Sequence, residues 1–261
     1  MHGLGNDFVI FDGRTAPIDM TPRLARQIAD RRRGVGCDQL IVLEPSTVAT
    51  LRMAIWNADG GVAESCGNAT RCVVALTGAK QIETDGGVLT GQTLGGEVEV
   101  AMGEPQFDWS AIPLADAMDT RALPLAWDEL ARPAAVNVGN PHLVFFVETI
   151  DEARLQEVGP RIEQDPIFPE RINVNVARLA DDGAIELRTW ERGVGLTDAC
   201  GTGACATAVV AIRQKRVSSP VAVRMKGGTL TIGWAPGSPI VMSGPSASVF
   251  SGEIDLAAFG G

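Results

Sequence analysis

The 261-residue sequence has few of the residues that build metal sites and disulfide frameworks. It contains two histidines, His2 and His142, and five cysteines without a C-x-x-C pair. These absences argue against a zinc site and against a thioredoxin-like redox motif. An odd number of cysteines at irregular spacing also argues against a disulfide framework, and it favours a reducing compartment, the cytoplasm.

The sequence also lacks a long apolar run and an excess of positive charge. No stretch approaches the roughly 20 residues of a transmembrane helix. We expect no secretory signal, because the first residues lack a basic flank and an apolar segment. The net charge of −10 disfavours nucleic acid, which binds to basic patches. We therefore expect neither a membrane nor a nucleic-acid partner.

The composition is that of a folded globular protein. Apolar residues make up 45% of the sequence, which is enough to form a sizeable core. A chain of this length forms one large domain or two smaller ones.

An internal repeat is the most informative feature of the chain. Trp56 stands ten residues before Cys66, and Trp190 stands ten residues before Cys200. Several polar residues obey the same spacing of 134 positions. These pairs are Asn6 and Asn140, Gln39 and Asn173, Asn57 and Glu191, and Cys66 and Cys200. The spacing predicts two copies of one structural unit, each with a cysteine at an equivalent place.

Local patterns extend the repeat to secondary structure. The apolar runs at residues 8–11, 40–43 and 143–147 predict buried strands. Thr21-Pro22 predicts a helix start, with a capping hydroxyl and a proline in the first turn. An apolar segment after each motif cysteine predicts a buried helix. The strand-like segments that follow are related by 141 positions, so seven residues are inserted after the second helix.

We therefore predict an α/β (α+β) fold of two pseudo-symmetric lobes. Each lobe is a curved, mostly antiparallel sheet around a central helix. The N-terminal lobe comprises residues 1–110 with 247–261 and carries Cys66. The C-terminal lobe comprises residues 111–246 and carries Cys200. We expect the active site in the cleft between the lobes, with one thiol on each side.

Each of these two cysteines is expected at a helix N-terminus, where backbone N–H groups and the helix dipole favour anions. A substrate carboxylate could bind the N–H groups of Gly67-Asn68 and Gly201-Thr202. The same field is expected to lower the thiol pKa values from about 8.5 toward neutrality. Two facing thiols would share one proton, so that one acts as base and the other as acid.

Other polar residues allow two interpretations. His142 and Glu191 could tune the thiols, or form a satisfied histidine and a structural ion pair. Arg192 could bind a substrate carboxylate. The asparagines near turns could bind substrate or form Asx turns. Cys37, Cys72 and Cys205 are interpreted as small buried hydrophobic residues.

Several motifs in sequence order resemble the diaminopimelate epimerase family, which is related to the proline racemases. They are residues 1–8 (MHGLGNDF), 36–40 (GCDQL), 57–60 (NADG), 66–68 (CGN), 139–142 (GNPH), 171–173 (RIN), 191–193 (ERG) and 199–204 (ACGTGA). The motifs span nearly the whole chain. Residues 68–72 (NATRC) depart from the NGARC of many relatives, but the Cys-Gly-Asn triplet is intact.

The resemblance implies an isomerase that interconverts LL- and meso-2,6-diaminopimelate in lysine and peptidoglycan-precursor synthesis, without pyridoxal phosphate, metal or another cofactor. It implies that Cys66 and Cys200 are the acid/base pair and that His142 and Glu191 tune them. The substrate contacts that it implies are Asn6, Gln39, Asn57, Gly67, Asn68, Asn140, Asn173, Glu191, Arg192, Gly201 and Thr202. It also implies a homodimer, although the chain has no tyrosine and carries Phe250 where relatives have a tyrosine near the dimer contact.

Two alternatives stay open from the sequence. One is a racemase of another amino acid, such as proline or hydroxyproline. The other is a two-lobed amino-acid binding protein without catalysis. Exchange of the substrate α-proton with solvent separates the enzymes from the binding protein, and turnover on each amino acid separates the two enzymes.

Overall fold

The computed structural model describes residues 1–64 and 66–259. The contacts within the chain divide it into two compact units. The first unit contains residues 1–100 and the C-terminal segment from Gly244, and the second contains residues 101–243.

The helices and strands of the first unit follow in chain order. They are β1 (His2–Gly3), β2 (Asn6–Asp12), α1 (Pro22–Ala29), β3 (Gln39–Glu44), β4 (Leu51–Asn57), β5 (Val62–Ala63), α2 (Gly67–Thr77), β6 (Gln81–Thr84), β7 (Gly87–Leu94) and β8 (Glu97–Ala101). A short 3₁₀ helix, Leu256–Phe259, lies in the C-terminal segment.

The second unit has a similar series of elements. They are β9 (Ala126–Trp127), β10 (Leu130–Ala131), β11 (Ala134–Asn137), β12 (Pro141–Phe146), α3 (Glu152–Glu163), β13 (Asn173–Leu179), β14 (Ile185–Glu191), β15 (Gly195–Thr197), α4 (Gly201–Arg213), β16 (Val221–Met225), β17 (Gly228–Gly233) and β18 (Val241–Gly244).

The strand order is the same in both units. In the first it is β1-β2-β3-β4-β6-β7-β8, with β5 paired to β4. In the second it is β11-β12-β13-β14-β16-β17-β18, with β15 paired to β14. In each unit the second and third strands of the series are parallel, and the fourth and fifth are parallel. The hairpin pairs are antiparallel. The predicted α/β fold is confirmed.

The pairing registers repeat at the predicted spacing. Phe8 lies opposite Gln39 in the first unit, and His142 lies opposite Asn173 in the second. Each partner has moved by 134 positions. The internal duplication that the sequence predicts is therefore confirmed at the level of single residue pairs.

The insertion after the second helix is visible in the same way. In the first unit Leu51 pairs with Ile82, and in the second Ile185 pairs with Val223. Leu51 and Ile185 are 134 positions apart, whereas Ile82 and Val223 are 141 positions apart. The extra residues therefore lie between β14 and β16, a stretch that includes α4.

The start of α1 agrees with the predicted capping pattern. Thr21 has an extended backbone, and its Oγ1 accepts a hydrogen bond from the Leu24 N–H at 3.2 Å. Pro22 occupies the first helical position, where its missing N–H costs nothing. Ala25 and Ile28 are fully buried and anchor the helix in the first unit.

The helices that follow the two motif cysteines are largely buried. In α4, Gly201 and all residues from Gly203 to Ala211 are buried, and the helix contacts strands from β11 to β17 of its own unit. In α2, residues 67–74 are buried. Both helices are therefore core elements, as their apolar sequences predict. In the described part of the chain, the helices are too short or too polar to cross a membrane.

Candidate active site

Cys66 caps the N-terminus of α2. It has an extended backbone with φ −149°, and the helix begins at Gly67. Its carbonyl oxygen accepts the Thr70 N–H at 2.9 Å. The first N–H groups of α2 have no acceptor within the helix. They follow Cys66 directly in the chain, so the helix N-terminus beside this residue favours an anion.

Two asparagines lie beside this thiol. Asn6 Oδ1 accepts a hydrogen bond from Asn68 Nδ2 at 3.3 Å and lies 3.9 Å from the Cys66 Sγ. The Asn6 Nδ2 donates to Asp38 at 3.0 Å, and the buried Arg71 donates to Asn68 Oδ1 at 2.8 Å. Asp38 and Arg71 thus hold the two amides in place from opposite ends.

A second amide pair lies at the ends of β3 and β4. Gln39 and Asn57 are opposite each other in the sheet register, and Gln39 Nε2 donates to Asn57 Oδ1 at 2.9 Å. The Gln39 Oε1 is buried and accepts no hydrogen bond within the described residues. A buried acceptor without a donor is costly, so this oxygen is suited to an N–H group of a ligand.

Cys200 occupies the equivalent position at the N-terminus of α4. Its Sγ accepts the Gly203 N–H at 3.3 Å and lies 3.5 Å from the Thr202 Oγ1. The Glu191 carboxyl group is close enough to influence the pKa of this thiol. The side chain is buried, with 4% of the residue exposed.

The expected lowering of the thiol pKa is wrong for Cys200. Burial raises the pKa of Cys200 well above its ordinary value, and the negative charge of Glu191 raises it further. The hydrogen bonds from Thr202 and Gly203 act in the opposite direction but are outweighed. The prediction considered the helix N-terminus alone, whereas removal of the thiolate from water is the larger effect.

Glu191 is held by the β14–β15 hairpin. The Thr197 hydroxyl donates to the Glu191 Oε1 at 2.5 Å. Burial raises the pKa of Glu191, and the hydrogen bonds from Thr197 and Cys200 limit that rise. A carboxyl group whose pKa is raised, next to a thiol, is suited to exchange a proton with it.

His142 makes hydrogen bonds to the side-chain amides of Asn140 and Asn175. Its Nε2 is 2.9 Å from Asn140 Oδ1, and its Nδ1 is 3.0 Å from Asn175 Nδ2. Burial, with a smaller contribution from the charge of Arg192, lowers the pKa of His142 to about 3. The imidazole is therefore neutral, and it reaches the Cys200 side of the site through Asn140 and Thr202, whose Nδ2–Oγ1 distance is 3.4 Å.

Asn173 and Arg192 form a third group in the second unit. The Asn173 Oδ1 accepts the Arg192 backbone N–H at 2.9 Å, and its Nδ2 donates to the Pro141 carbonyl at 2.8 Å. The Arg192 guanidinium donates to the Glu170 carbonyl at 2.8 Å, and the residue is exposed. The guanidinium is thus oriented while part of it stays accessible to an anion.

The structure therefore brings the predicted residues together in local groups within each unit. Gly67 and Gly201 are the first residues of the two helices. Several residues in direct contact with these groups are absent from the sequence-based prediction: Asp38, Arg71, Asn175, Thr189 and Thr197. The repeat could have identified two of them. Asn175 and Thr189 are polar, whereas the equivalent residues of the first copy, Ile41 and Ile55, are apolar.

The remaining cysteines are buried, as predicted. Cys37, Cys72 and Cys205 have 2% or less of their surface exposed. Burial raises the pKa of Cys37 and that of Cys72 to about 11. These two thiols are therefore protonated at neutral pH and unsuited to base catalysis.

Comparison with known proteins assigns the family. The model of the diaminopimelate epimerase family matches residues 1–107 and 134–249. This chain belongs to the diaminopimelate epimerase family. Members of the family from two bacteria are similar over the whole chain. The diaminopimelate epimerase of Rhizorhabdus wittichii is 65% identical to this chain, and the match covers 100% of this chain and 96% of the relative. The diaminopimelate epimerase of Sphingopyxis alaskensis is 63% identical, and the match covers 100% of this chain and 97% of the relative.

Solved structures with low sequence identity share the fold. A phenazine biosynthesis protein of the PhzF family from Bacillus anthracis has a TM-score of 0.65 and 18% identity, over 94% of this chain and 91% of its own. A hydroxyproline epimerase from Agrobacterium vitis has a TM-score of 0.62 and 19% identity, and the match covers 93% of this chain and 85% of the epimerase. These two likenesses concern the fold of this chain alone.

Proposed function

We propose that this protein interconverts LL- and meso-2,6-diaminopimelate by a two-base proton transfer at one α carbon, with Cys66 and Cys200 as the two bases. The observation that carries the proposal is the equivalence of the two cysteines. Each caps the N-terminus of a buried helix, and the helices begin 134 positions apart in units with the same strand order.

Inversion at carbon needs one group that removes a proton and another that delivers a proton to the opposite face. Two thiols of equivalent origin meet this need if one is ionised and the other protonated. Either sulfur then serves as base, depending on which stereoisomer is bound. Two thiolates at short range would repel each other, so a single shared proton is the favoured state.

The thiol of Cys200 is supported by a proton acceptor of its own. The Glu191 carboxyl is next to the thiol, and the Gly203 N–H stabilises the sulfur once it is ionised. The Cys66 thiol lies beside Asn6 Oδ1. The two sulfurs therefore have different hydrogen-bonding surroundings.

The proposed contacts of the reacting end of the substrate are the N–H groups at the two helix N-termini. The substrate α-carboxylate binds the N-terminal N–H groups of α2 and α4, from Gly67-Asn68 and Gly201-Thr202. These dipoles also stabilise the negative charge that develops when the α-proton leaves, which acid/base positioning alone does not achieve.

The other end of diaminopimelate needs both acceptors and a cation. The unsatisfied Gln39 Oε1 and the Asn57 amide are suited to its ammonium group, and the Arg192 guanidinium is suited to its carboxylate. Asn6, Asn140 and Asn173 complete the set of amides. A site that hydrogen-bonds both distal groups discriminates strongly against amino acids that lack them.

We further propose that the protein works as a homodimer in a reducing compartment, the cytoplasm, without pyridoxal phosphate. The thiol pair supplies both proton-transfer groups, and its oxidation would remove them. A visible pyridoxal absorbance in fully active protein would overturn this part of the proposal. Sedimentation of the purified protein as a monomer at assay concentration would overturn the dimer.

The test is solvent isotope exchange. The protein is incubated in D₂O with LL-diaminopimelate, and in parallel with L-proline and trans-4-hydroxy-L-proline. We expect deuterium at one α carbon of diaminopimelate together with formation of the meso isomer, and none in the imino acids.

Each other outcome points to an alternative function. Exchange in proline or hydroxyproline alone identifies a racemase of those compounds. Binding of diaminopimelate without exchange identifies a non-catalytic binding protein. Exchange that requires added pyridoxal phosphate excludes the two-thiol mechanism.

A further inference from the structure

A chain of hydrogen bonds runs through the interior of the second unit to Cys200. Its members come from three strands, from the turn between β11 and β12, and from the start of α4 with its N-cap. In order they are Thr189, Asn175, His142, Asn140, Thr202 and Cys200, with successive distances of 2.9, 3.0, 2.9, 3.4 and 3.5 Å. The first three residues are buried, with 2% or less of their surface exposed.

One backbone carbonyl fixes the direction of the chain. Asn175 Nδ2 lies 2.8 Å from the Leu143 carbonyl oxygen. A carbonyl only accepts, so this atom is the amide nitrogen and Asn175 Oδ1 faces Thr189. The same amide group faces the His142 Nδ1, which must therefore lack a proton. Neutral His142 then carries its proton on Nε2 and donates to Asn140 Oδ1.

The direction continues to the sulfur. Because Asn140 Oδ1 accepts from His142, its Nδ2 faces the Thr202 hydroxyl oxygen and donates to it. The Thr202 oxygen lies 3.5 Å from the Cys200 Sγ, so its hydroxyl is placed to donate to the sulfur while it accepts from Asn140. The chain ends at the Cys200 Sγ, and every donor in this arrangement points toward that sulfur.

The first unit shows that the fold does not need this chain. The positions equivalent to His142, Asn175 and Thr189 are Phe8, Ile41 and Ile55, each offset by 134. These three side chains are buried, with 3% or less of their surface exposed. Burying polar groups costs free energy unless all are hydrogen-bonded. The presence of His142 and Asn175 beneath Cys200, with apolar residues at the equivalent positions beneath Cys66, therefore indicates that these two side chains have a role in the chemistry of the Cys200 thiol.

We infer that Asn175 is a positioning residue, which holds His142 in its Nε2–H tautomer and so directs the Thr202 hydroxyl at Cys200. The effect of this arrangement on catalysis rests on the proposed function. The tautomer itself is independent of any substrate. Two charged groups affect the ionisable members of the chain: Arg192 affects His142, and Glu191, at the end of β14, affects Cys200.

The test is ¹⁵N NMR of histidine-labelled protein at pH 7. The chain has only two histidines, so a His2→Gln variant assigns the His142 signals. We expect a neutral ring in the wild type, with the proton on Nε2. In Asn175→Asp the carboxylate should accept from Nδ1 and reverse the tautomer. In Asn175→Leu the Nδ1 loses its donor, and both tautomers should be populated.

A second measurement reports on the sulfur. The rate at which iodoacetamide alkylates Cys200, followed by peptide mass spectrometry, should fall roughly tenfold in Asn175→Leu, because its thiolate loses a donated hydrogen bond. Cys66 in the same molecule is the internal control and should change less than about twofold. Thr189→Val is the matched variant, since it removes a partner of Asn175 but leaves the Leu143 carbonyl to orient the amide. It should keep the wild-type tautomer and the wild-type alkylation rate.

The outcomes separate this inference from the proposed function. A wild-type His142 with its proton on Nδ1, or with both nitrogens protonated, overturns the inference even if no variant folds. An unchanged tautomer in both Asn175 variants also overturns it. The predicted tautomers in a protein that does not exchange the α-proton of diaminopimelate would leave the inference standing and refute the function.

Discussion

Gly203 donates its backbone N–H to the Cys200 Sγ at 3.3 Å. The same residue packs directly on the buried polar side chains below α4. A Cβ atom at Gly203 would lie 2.6 Å from Asn175 Oδ1 and 2.8 Å from Thr189 Oγ1. The absence of a side chain therefore allows the helix N-terminus to approach both the sulfur and the network that orients it.

Gly203→Ala should disturb this contact. Both distances are shorter than real Cβ contacts, so α4 or the network must move. We expect a loss of about 1–3 kcal/mol in the free energy of unfolding, as for other overpacked cores, and at least a tenfold loss of turnover. Gly252→Ala is the control, because nothing lies within 4 Å of its added carbon. Wild-type stability and turnover of Gly203→Ala would contradict the packing described.

Glu191→Gln should change Cys200 in a defined direction. The Glu191 charge raises the pKa of Cys200, so its removal should move the pH midpoint of Cys200 alkylation downward. Turnover should nevertheless fall at least about tenfold, because the proton acceptor is lost. Glu186→Gln, a paired glutamate of the same strand, should leave the midpoint unchanged. An upward shift in Glu191→Gln would show that the carboxyl group does not act through its charge.

His142 should contribute to acid unfolding. Its pKa is about 3 in the folded protein and near 6.5 when exposed, so the unfolded chain binds one more proton between these pH values. The stabilisation is therefore complete above pH 6.5 and is lost progressively as the pH falls toward 3, at up to about 1.4 kcal/mol per pH unit. Denaturant unfolding from pH 7 to pH 4.5 measures the slope. His142→Gln should reduce the slope. Equal slopes in the wild type and in His142→Gln would show that His142 is protonated without cost.

The cysteines should differ in reactivity. Burial raises the pKa values of Cys37 and Cys72 to about 11, so at pH 8 these thiols are protonated and inaccessible. Brief iodoacetamide treatment should label Cys66 and leave both unmodified, as peptide mass spectrometry would show. All five cysteines should react in denaturant. Rapid native labelling of Cys72 would contradict its place in the core.

Much of the fold could be predicted because it depends on local pattern and on the repeat. The apolar run of β3, the Thr21-Pro22 start of α1 and the constant spacing of Cys66 and Cys200 each have a direct structural counterpart. These features are carried by residues close in sequence or by the comparison of two copies. Neither requires knowledge of which residues meet in space.

The rest of the site depends on contacts across the fold. Asn175 and Thr189 appear in the sequence as ordinary strand residues, and their role depends on the Leu143 carbonyl and on Gly203, which lie on other elements. The pKa of Cys200 was predicted with the wrong sign because burial cannot be read from the helix-capping motif alone. Asp38 is next to Gln39 in sequence, but only the fold places it on Asn6.

The most direct test of the account is the turnover of the single variants Cys66→Ala and Cys200→Ala on LL-diaminopimelate, with Cys72→Ala as the control for the same chemical change. Circular dichroism should show all three folded. We predict that each motif variant loses at least about 10²–10⁴-fold in epimerisation while Cys72→Ala keeps activity. Turnover at the wild-type rate by either Cys66→Ala or Cys200→Ala would contradict the two-thiol mechanism.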